Sequence, residues 1–351
     1  MESVSNSLKE KSTKNHSLDF IKGIGCIGVV IAHAKFPGDF GIALGYLAGF
    51  YVVPLFFMIS GYYSGYTDRK TVNSSLPRKI KHILLLSCIS FAAYFLFCFI
   101  GFYFEGGKQE MIQWLNQTLT FKCLVNFIVF NDLDFIKAGQ LWFLFTLLYC
   151  YLLLYVINRF NLYKIVYYSI PLLLICRILI TYFSRDNWHL ESNILFSGLP
   201  FFMLGNLLKR KKDYIHKLSN KALLLLMTGT GIFAILPTWI DLKINIFYMG
   251  TMLFAVLIFI YAQNNPQIFR GKIEEFGRKY SLFIYIIHVM CIYIINIISN
   301  ALKVSDNSLF IYSKPILVVT MACLSAYVFY YIKDKLVWKN KSLPASPNLN
   351  S

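Results

Sequence analysis

The chain has 351 residues, of which 57% are hydrophobic and only 15% are Asp, Glu, Lys or Arg, well below the roughly 25% charged content of ordinary soluble domains. That balance, with 32 Phe, 24 Tyr and 5 Trp, excludes an ordinary water-soluble domain and points to a polytopic membrane protein. The net charge of +17 suggests nucleic acid only until the charges are located along the chain.

Taken in order, the first seventeen residues are polar and basic, with Lys9, Lys11 and Lys14. The apolar run that follows carries charges within it, so it reads as a retained first span and not as a cleavable signal peptide. A bilayer crossing needs about 20 apolar residues. Ten candidates follow, at 18–36, 42–63, 80–104, 140–158, 163–183, 194–208, 221–240, 244–262, 281–302 and 309–332. The sixth is short and contains Pro200, and the stretch 105–139 is the longest interruption, with an amphipathic piece from Trp114 to Phe130 suited to the interface. The expected fold class is therefore all-α, with about ten transmembrane helices. A tail at 1–17 precedes a membrane domain at 18–333, and a second tail covers 334–351.

Loop charges orient these spans. One set of alternate loops, including both tails, holds 24 Lys and Arg, and the other holds 8, with Lys22 and Arg177 inside spans. Under the positive-inside rule both termini are expected in the cytoplasm. The basic excess is then a topology signal, leaving no role for nucleic acid and making membrane lipid the surrounding partner. Eight cysteines are scattered singly with no CxxC or metal spacing, and read as small hydrophobes.

Ionisable groups inside a span are a functional-site hypothesis. The first span holds Asp19, Lys22 and His33. At 100° per residue, with Lys22 at zero, His33 falls at about 20° and Asp19 at about 60°, one stripe along which Lys22 and His33 lie roughly 16 Å apart. The structural alternative is that Asp19 and Lys22 simply pair, three residues apart, while His33 reaches the interface. Gly23, Gly25 and Gly28 allow a neighbouring helix to approach closely. In the second span, Ser60 and Gly61 interrupt the aromatic run PLFFMISGYYSGY. Arg78, Lys79, Lys81 and His82 then mark re-entry into the membrane, where such a cluster serves as a topology anchor or grips a polyphosphate. Arg177 lies in mid-span and suits an acidic partner such as Glu191 or Asp19, or a substrate. Trp142 reads as an interfacial or packing aromatic and His288 as a core histidine, while Asp132, Asp134, Asp186 and Glu191 lie on the less basic side. With no P-loop, GxSxG elbow or metal cluster, a pump ATPase, a typical serine hydrolase and a metalloenzyme are disfavoured.

These motifs, in order, resemble the acyltransferase-3 family of integral membrane acyltransferases. The resemblance rests on LDFIKGIGCIGVVIAH at 18–33, FFMISGYYSGY at 56–66, the basic run at 77–82, QLWFLFTLLYCYLL at 140–153, FSGLPFFMLGNLL at 196–208 and YSLFIYIIHV at 280–289. Two positions depart from the family pattern: Lys22 stands where Arg is usual, and Ser192 precedes Asn193 where some relatives have Arg. The resemblance implies transfer of an acyl group, commonly acetyl, from cytoplasmic acyl-CoA to a hydroxyl of an envelope glycan, without a metal, in the bacterial plasma membrane. It makes His33 the general base or an acyl-carrying nucleophile, with Lys22 and Asp19 beside it. Arg78, Lys79, Lys81 and Ser60 would serve the donor, and Arg177, Glu191 and Trp142 the acceptor. The hydrolase-like domain fused to some members has no counterpart here, so the membrane domain would act alone or with a separate extracytoplasmic acyl-handling protein. A transporter or export component for a small polar molecule or polysaccharide is the competing class, because intramembrane charges also mark translocation paths.

Overall fold

A computed structural model describes residues 14–49, 51–183, 192–215, 217–235 and 246–342. Among them the chain is helical, with no strand. Helix α1 covers His16–Ala34, and the expected second span divides into α2 (Gly38–Gly49) and α3 (Val52–Tyr62). The next, α4 (Arg69–Thr118), is continuous through its apolar stretch. It is broken by Gly106 and by Gly107, whose φ of 69° is a left-handed conformation suited to glycine. This break falls where the apolar run ends, and the polar second arm carries Trp114 back to the bundle, its indole N–H donating to the Phe135 carbonyl at 3.1 Å.

Helix α5 (Phe121–Phe130) is capped by Thr120 and has no buried residue. It exposes Phe121, Leu124, Val125, Ile128 and Val129 while Phe127 packs on Phe91, Phe135 and Phe145, the pattern of a helix lying along an interface. Then come α6 (Trp142–Phe160), α7 (Tyr163–Phe183), a π-helical turn at Ile194–Gly198, α8 (Leu199–Arg210), the short α9 (Lys212–Ile215), α10 (Asn220–Ile235), α11 (Ile246–Asn264), α12 (Lys272–Ala301) and α13 (Ser308–Ser342). Six of the described helices are long and apolar enough to cross a membrane, and four more apolar helices are shorter. Among the described residues the expected spans fall on helix, though only six of the helices are long enough to cross. Residues 236–240 and 244–245 of the seventh and eighth expected spans lie outside those residues, and the second span is split in two pieces, each short of a bilayer crossing by itself.

Two close helix pairs build the frame. Helices α1 and α12 run in the same direction and touch backbone to backbone: a Cβ on Gly277 would overlap the Asp19 carbonyl, and one on Gly23 would come within 2.7 Å of the Ile273 carbonyl. Helices α3 and α8 do the same at Gly61, against Phe202, and at Gly205, against Met58. In a hydrocarbon environment, where apolar side chains gain little by leaving lipid, such small-residue crossings carry much of the association. The start of α1 is held as well. Asn15 accepts from the Leu18 N–H and donates to the Ala262 carbonyl, and the buried Glu274 meets Lys14 at 2.7 Å and His16 at 3.1 Å. Cys26, Cys98, Cys150 and Cys291 are buried, whereas Cys88 lies on the exposed side of α4.

Candidate active site

The frame presents α1 with two different ends. At the basic end, one turn of helix joins Asp19 and Lys22 as an ion pair, with Asp19 buried. The end of α3 meets them, and the Tyr63 phenol lies in the field of the Asp19 carboxylate. Opposite is Lys79. On α4 the buried residues Val72, Leu76, Ile83, Ser87, Ser90 and Tyr94 follow helical spacing, and Lys79 falls on that stripe. It turns inward, donating to the Tyr63 carbonyl at 2.6 Å and the Ser64 hydroxyl at 2.8 Å. Its ammonium sits 5.7 Å from the Tyr66 ring centre and 5.9 Å from that of Tyr151, within cation–π range. The Tyr151 hydroxyl reaches Ser60 and Ser64, and Lys209 from α8 lies 5.2 Å from the Tyr62 ring centre. Ser60 and Lys79 are therefore brought together, whereas Arg78 and Lys81, off the stripe, remain exposed.

Just ahead of this cluster, Asp68 caps α4. The Thr71 hydroxyl and the backbone N–H groups of Thr71 and Lys70 hold its carboxyl below the ordinary carboxylate range.

At the opposite end, His33 faces His288 on α12, with ring centres 5.0 Å apart and planes tilted by 52°. His33 is exposed on one side, and His288 is fully buried. The His288 Nδ1 lies 2.7 Å from the Tyr285 carbonyl, and its Nε2 is buried without a hydrogen-bond partner. Around it, Tyr94 donates to the Ile286 carbonyl at 2.8 Å and accepts from the Met290 N–H at 3.1 Å. These are the two groups of one helical rung, so a side chain enters the backbone ladder beside His288, a known cause of local helix distortion. Gln140 donates to Tyr94 at 2.6 Å, its carbonyl accepts from the Tyr285 hydroxyl, and its own Oε1 is buried and unpartnered.

The remaining candidates lie further off. Trp142 is buried 6.0 Å from the Phe57 ring centre, at the edge of a small cleft also lined by Asn131, Asp132, Asp134 and Ser192. Arg177 donates to the Ser197 hydroxyl in the π-helical turn before α8. Glu191 lies outside the described residues. Sequence reasoning did not single out Tyr63, Ser64, Tyr151 and Lys209 at the basic end, or Tyr94, Gln140 and Tyr285 around His288. The available signal was the interrupted aromatic run at 56–66 for the first group, and for the second a histidine three residues after a tyrosine in an apolar helix.

The arrangement joins a cation-lined, aromatic-walled end to an imidazole end along one helix. A cationic end suits an anionic group such as a phosphate, and an imidazole suits proton removal near neutral pH.

Comparison with known families agrees. The family model described as an acyltransferase domain matches residues 15–333, nearly the whole chain and both ends of α1. Searches of curated proteins and of solved structures returned no match. The chain belongs to the acyltransferase-3 family and is a membrane acyltransferase.

Proposed function

We propose that the protein takes an acyl group, acetyl in the simplest case, from cytoplasmic acyl-CoA and places it on a hydroxyl of an envelope polysaccharide, in a bacterial plasma membrane. The observation that carries this reading is the single stripe of α1, which links the cationic cluster at Lys22 and Lys79 to the paired imidazoles at His33. The CoA phosphates would meet Lys79, with the exposed Arg78 and Lys81 at the rim, and Ser60 would lie along the donor arm. Lys22, held by Asp19, would face the pantetheine arm, with the thioester carbonyl further along the stripe toward His33. On the acceptor side, Trp142, Arg177 and Glu191 are the proposed contacts, and a separate extracytoplasmic protein could receive the acyl group in place of the glycan.

In the chemical step, His33 takes the proton from the acceptor hydroxyl as its oxygen attacks the thioester carbonyl carbon. The C–O bond forms, the C–S bond breaks, and CoA leaves as thiolate and takes up the proton carried by His33, which returns to its neutral form. General base catalysis of this kind is worth about 10²- to 10⁴-fold. His33→Ala should therefore lower acylation of surface glycan by at least about 100-fold while the protein still reaches the membrane; unchanged acylation would remove His33 from this role. In reconstituted vesicles supplied with acetyl-CoA, thioester consumption that depends on acceptor supports transfer, and acceptor flux without CoA release would favour a transporter instead.

A further inference from the structure

The pairing of His33 with His288 carries a role that the transfer reading does not use. The Tyr285 carbonyl, 2.7 Å from the His288 Nδ1, can only accept a hydrogen bond, so the neutral ring carries its proton on Nδ1 and leaves a lone pair on Nε2. That Nε2 is buried and unpartnered in a fully buried side chain, a condition that is costly unless a donor completes it. The ring packed beside that of His288 is His33, at 5.0 Å between centres. Two imidazoles joined by an N–H···N bond of ordinary length stand roughly 5 Å apart, so the separation of the two rings matches such a contact. The His288 backbone is itself braced, by Tyr94 on the Ile286–Met290 rung and by Gln140 behind Tyr94.

We propose that His288 is the positioning residue for His33, its Nε2 accepting a hydrogen bond from one His33 ring nitrogen so that the other faces the acceptor hydroxyl. The proposal rests on the transfer reading of His33. As His33 takes the proton, the same contact stabilises the imidazolium: the N–H shared with His288 becomes a stronger donor, and its lone-pair partner is already in place. A buried carboxylate is not needed for this orientation, because a neutral ring with its far nitrogen tied to a carbonyl presents the same acceptor. Outer partners of this kind typically change activity by 10- to 100-fold when removed from histidines that hold metals, and a similar magnitude is expected here.

The test uses two isosteric replacements in the full-length protein and a readout independent of activity. His288→Asn keeps a donor for the Tyr285 carbonyl but ends before Nε2; His288→Gln places a carboxamide oxygen where Nε2 was. Mass spectrometry of surface glycan, normalised to membrane-resident protein, should show acylation reduced about 10- to 100-fold in the Asn variant and largely restored in the Gln variant. Wild-type acylation by His288→Asn, or an equal loss in both variants, would overturn the proposal, the latter by making the residue merely a packing element. In detergent-purified protein labelled with ¹⁵N-histidine, one ring should show a protonated Nδ1 and bare Nε2, vanish in His288→Asn, and shift its Nε2 resonance in His33→Ala. An Nε2 resonance that ignores His33→Ala overturns the contact whatever the activity. A wild-type protein that shows this shift but acylates nothing refutes the transfer reading and leaves the contact established.

Discussion

The two ends of α1 are built by opposite means. At the Lys22 end, charge is matched by charge and by aromatic faces: Asp19 pairs with Lys22, Lys79 donates to Tyr63 and Ser64, and Lys209 lies over Tyr62. At the His33 end the network around His288 is built from uncharged side chains, Tyr94, Gln140 and Tyr285, and ends on unpartnered acceptors, the Nε2 of His288 and the Oε1 of Gln140. The difference teaches what each end can do. A saturated cationic cluster attracts and holds an anion by rearranging contacts it already makes. A neutral end with spare acceptors is prepared to receive a hydrogen-bond donor, and a hydroxyl about to lose its proton is one.

Both ends depend on the same crossing, so its disruption should have the largest effect. Gly277→Leu drives a side chain into the Asp19 carbonyl; overpacking costs about 1–3 kcal/mol and occasionally more, and loss of monodisperse protein on size exclusion with a lowered Tm is expected. A folded variant with normal acylation would show that the two ends do not share this frame.

Next in size is the separation of chemistry from binding. His33→Ala should act on kcat, and Lys79→Ala should raise the KM for acyl-CoA about tenfold, the value of one charge-assisted contact near 1.4 kcal/mol. Thioester consumption by reconstituted protein measures both, and a KM effect for His33 equal to that for Lys79 would merge the two ends into one. The burial difference on α4 gives a finer comparison. Arg78→Ala and Lys81→Ala, at exposed positions, should each change KM by no more than about threefold, the scale of solvent-exposed charges; a larger effect than that of Lys79→Ala would place the donor on the outside of the helix. Smallest is Lys22→Arg, which keeps the cation next to Asp19 and should stay within about threefold of wild type in KM. A larger gain would mean that the planar fork contacts the donor directly.

Much of this was legible in the chain. The helical repeat puts Asp19, Lys22 and His33 on one stripe, and Gly23 marks a close approach, which α12 supplies at Gly277. The inward turn of Lys79 was also readable, since Val72, Leu76, Lys79 and Ile83 share one face of α4, yet in a run such as PRKIKH every cation looks equivalent until the buried face is known. The division of the second span into α2 and α3 was not readable, because the apolar run is continuous across it.

By itself, the sequence determined the all-helical class, the membrane setting and the charged stripe of α1, because composition and a 3.6-residue period are local properties of the chain. Only the tertiary structure decided which histidine faces His33, and that Tyr94 and Gln140 brace it, because these residues are distant in sequence: His33 and His288 meet through the crossing of α1 and α12 at two glycines, while Tyr94 arrives from α4 and Gln140 from the turn before α6. An apolar run hides the difference between a histidine packed in the core and one aimed at a second imidazole, since both positions are equally buried and only the direction of one nitrogen separates them.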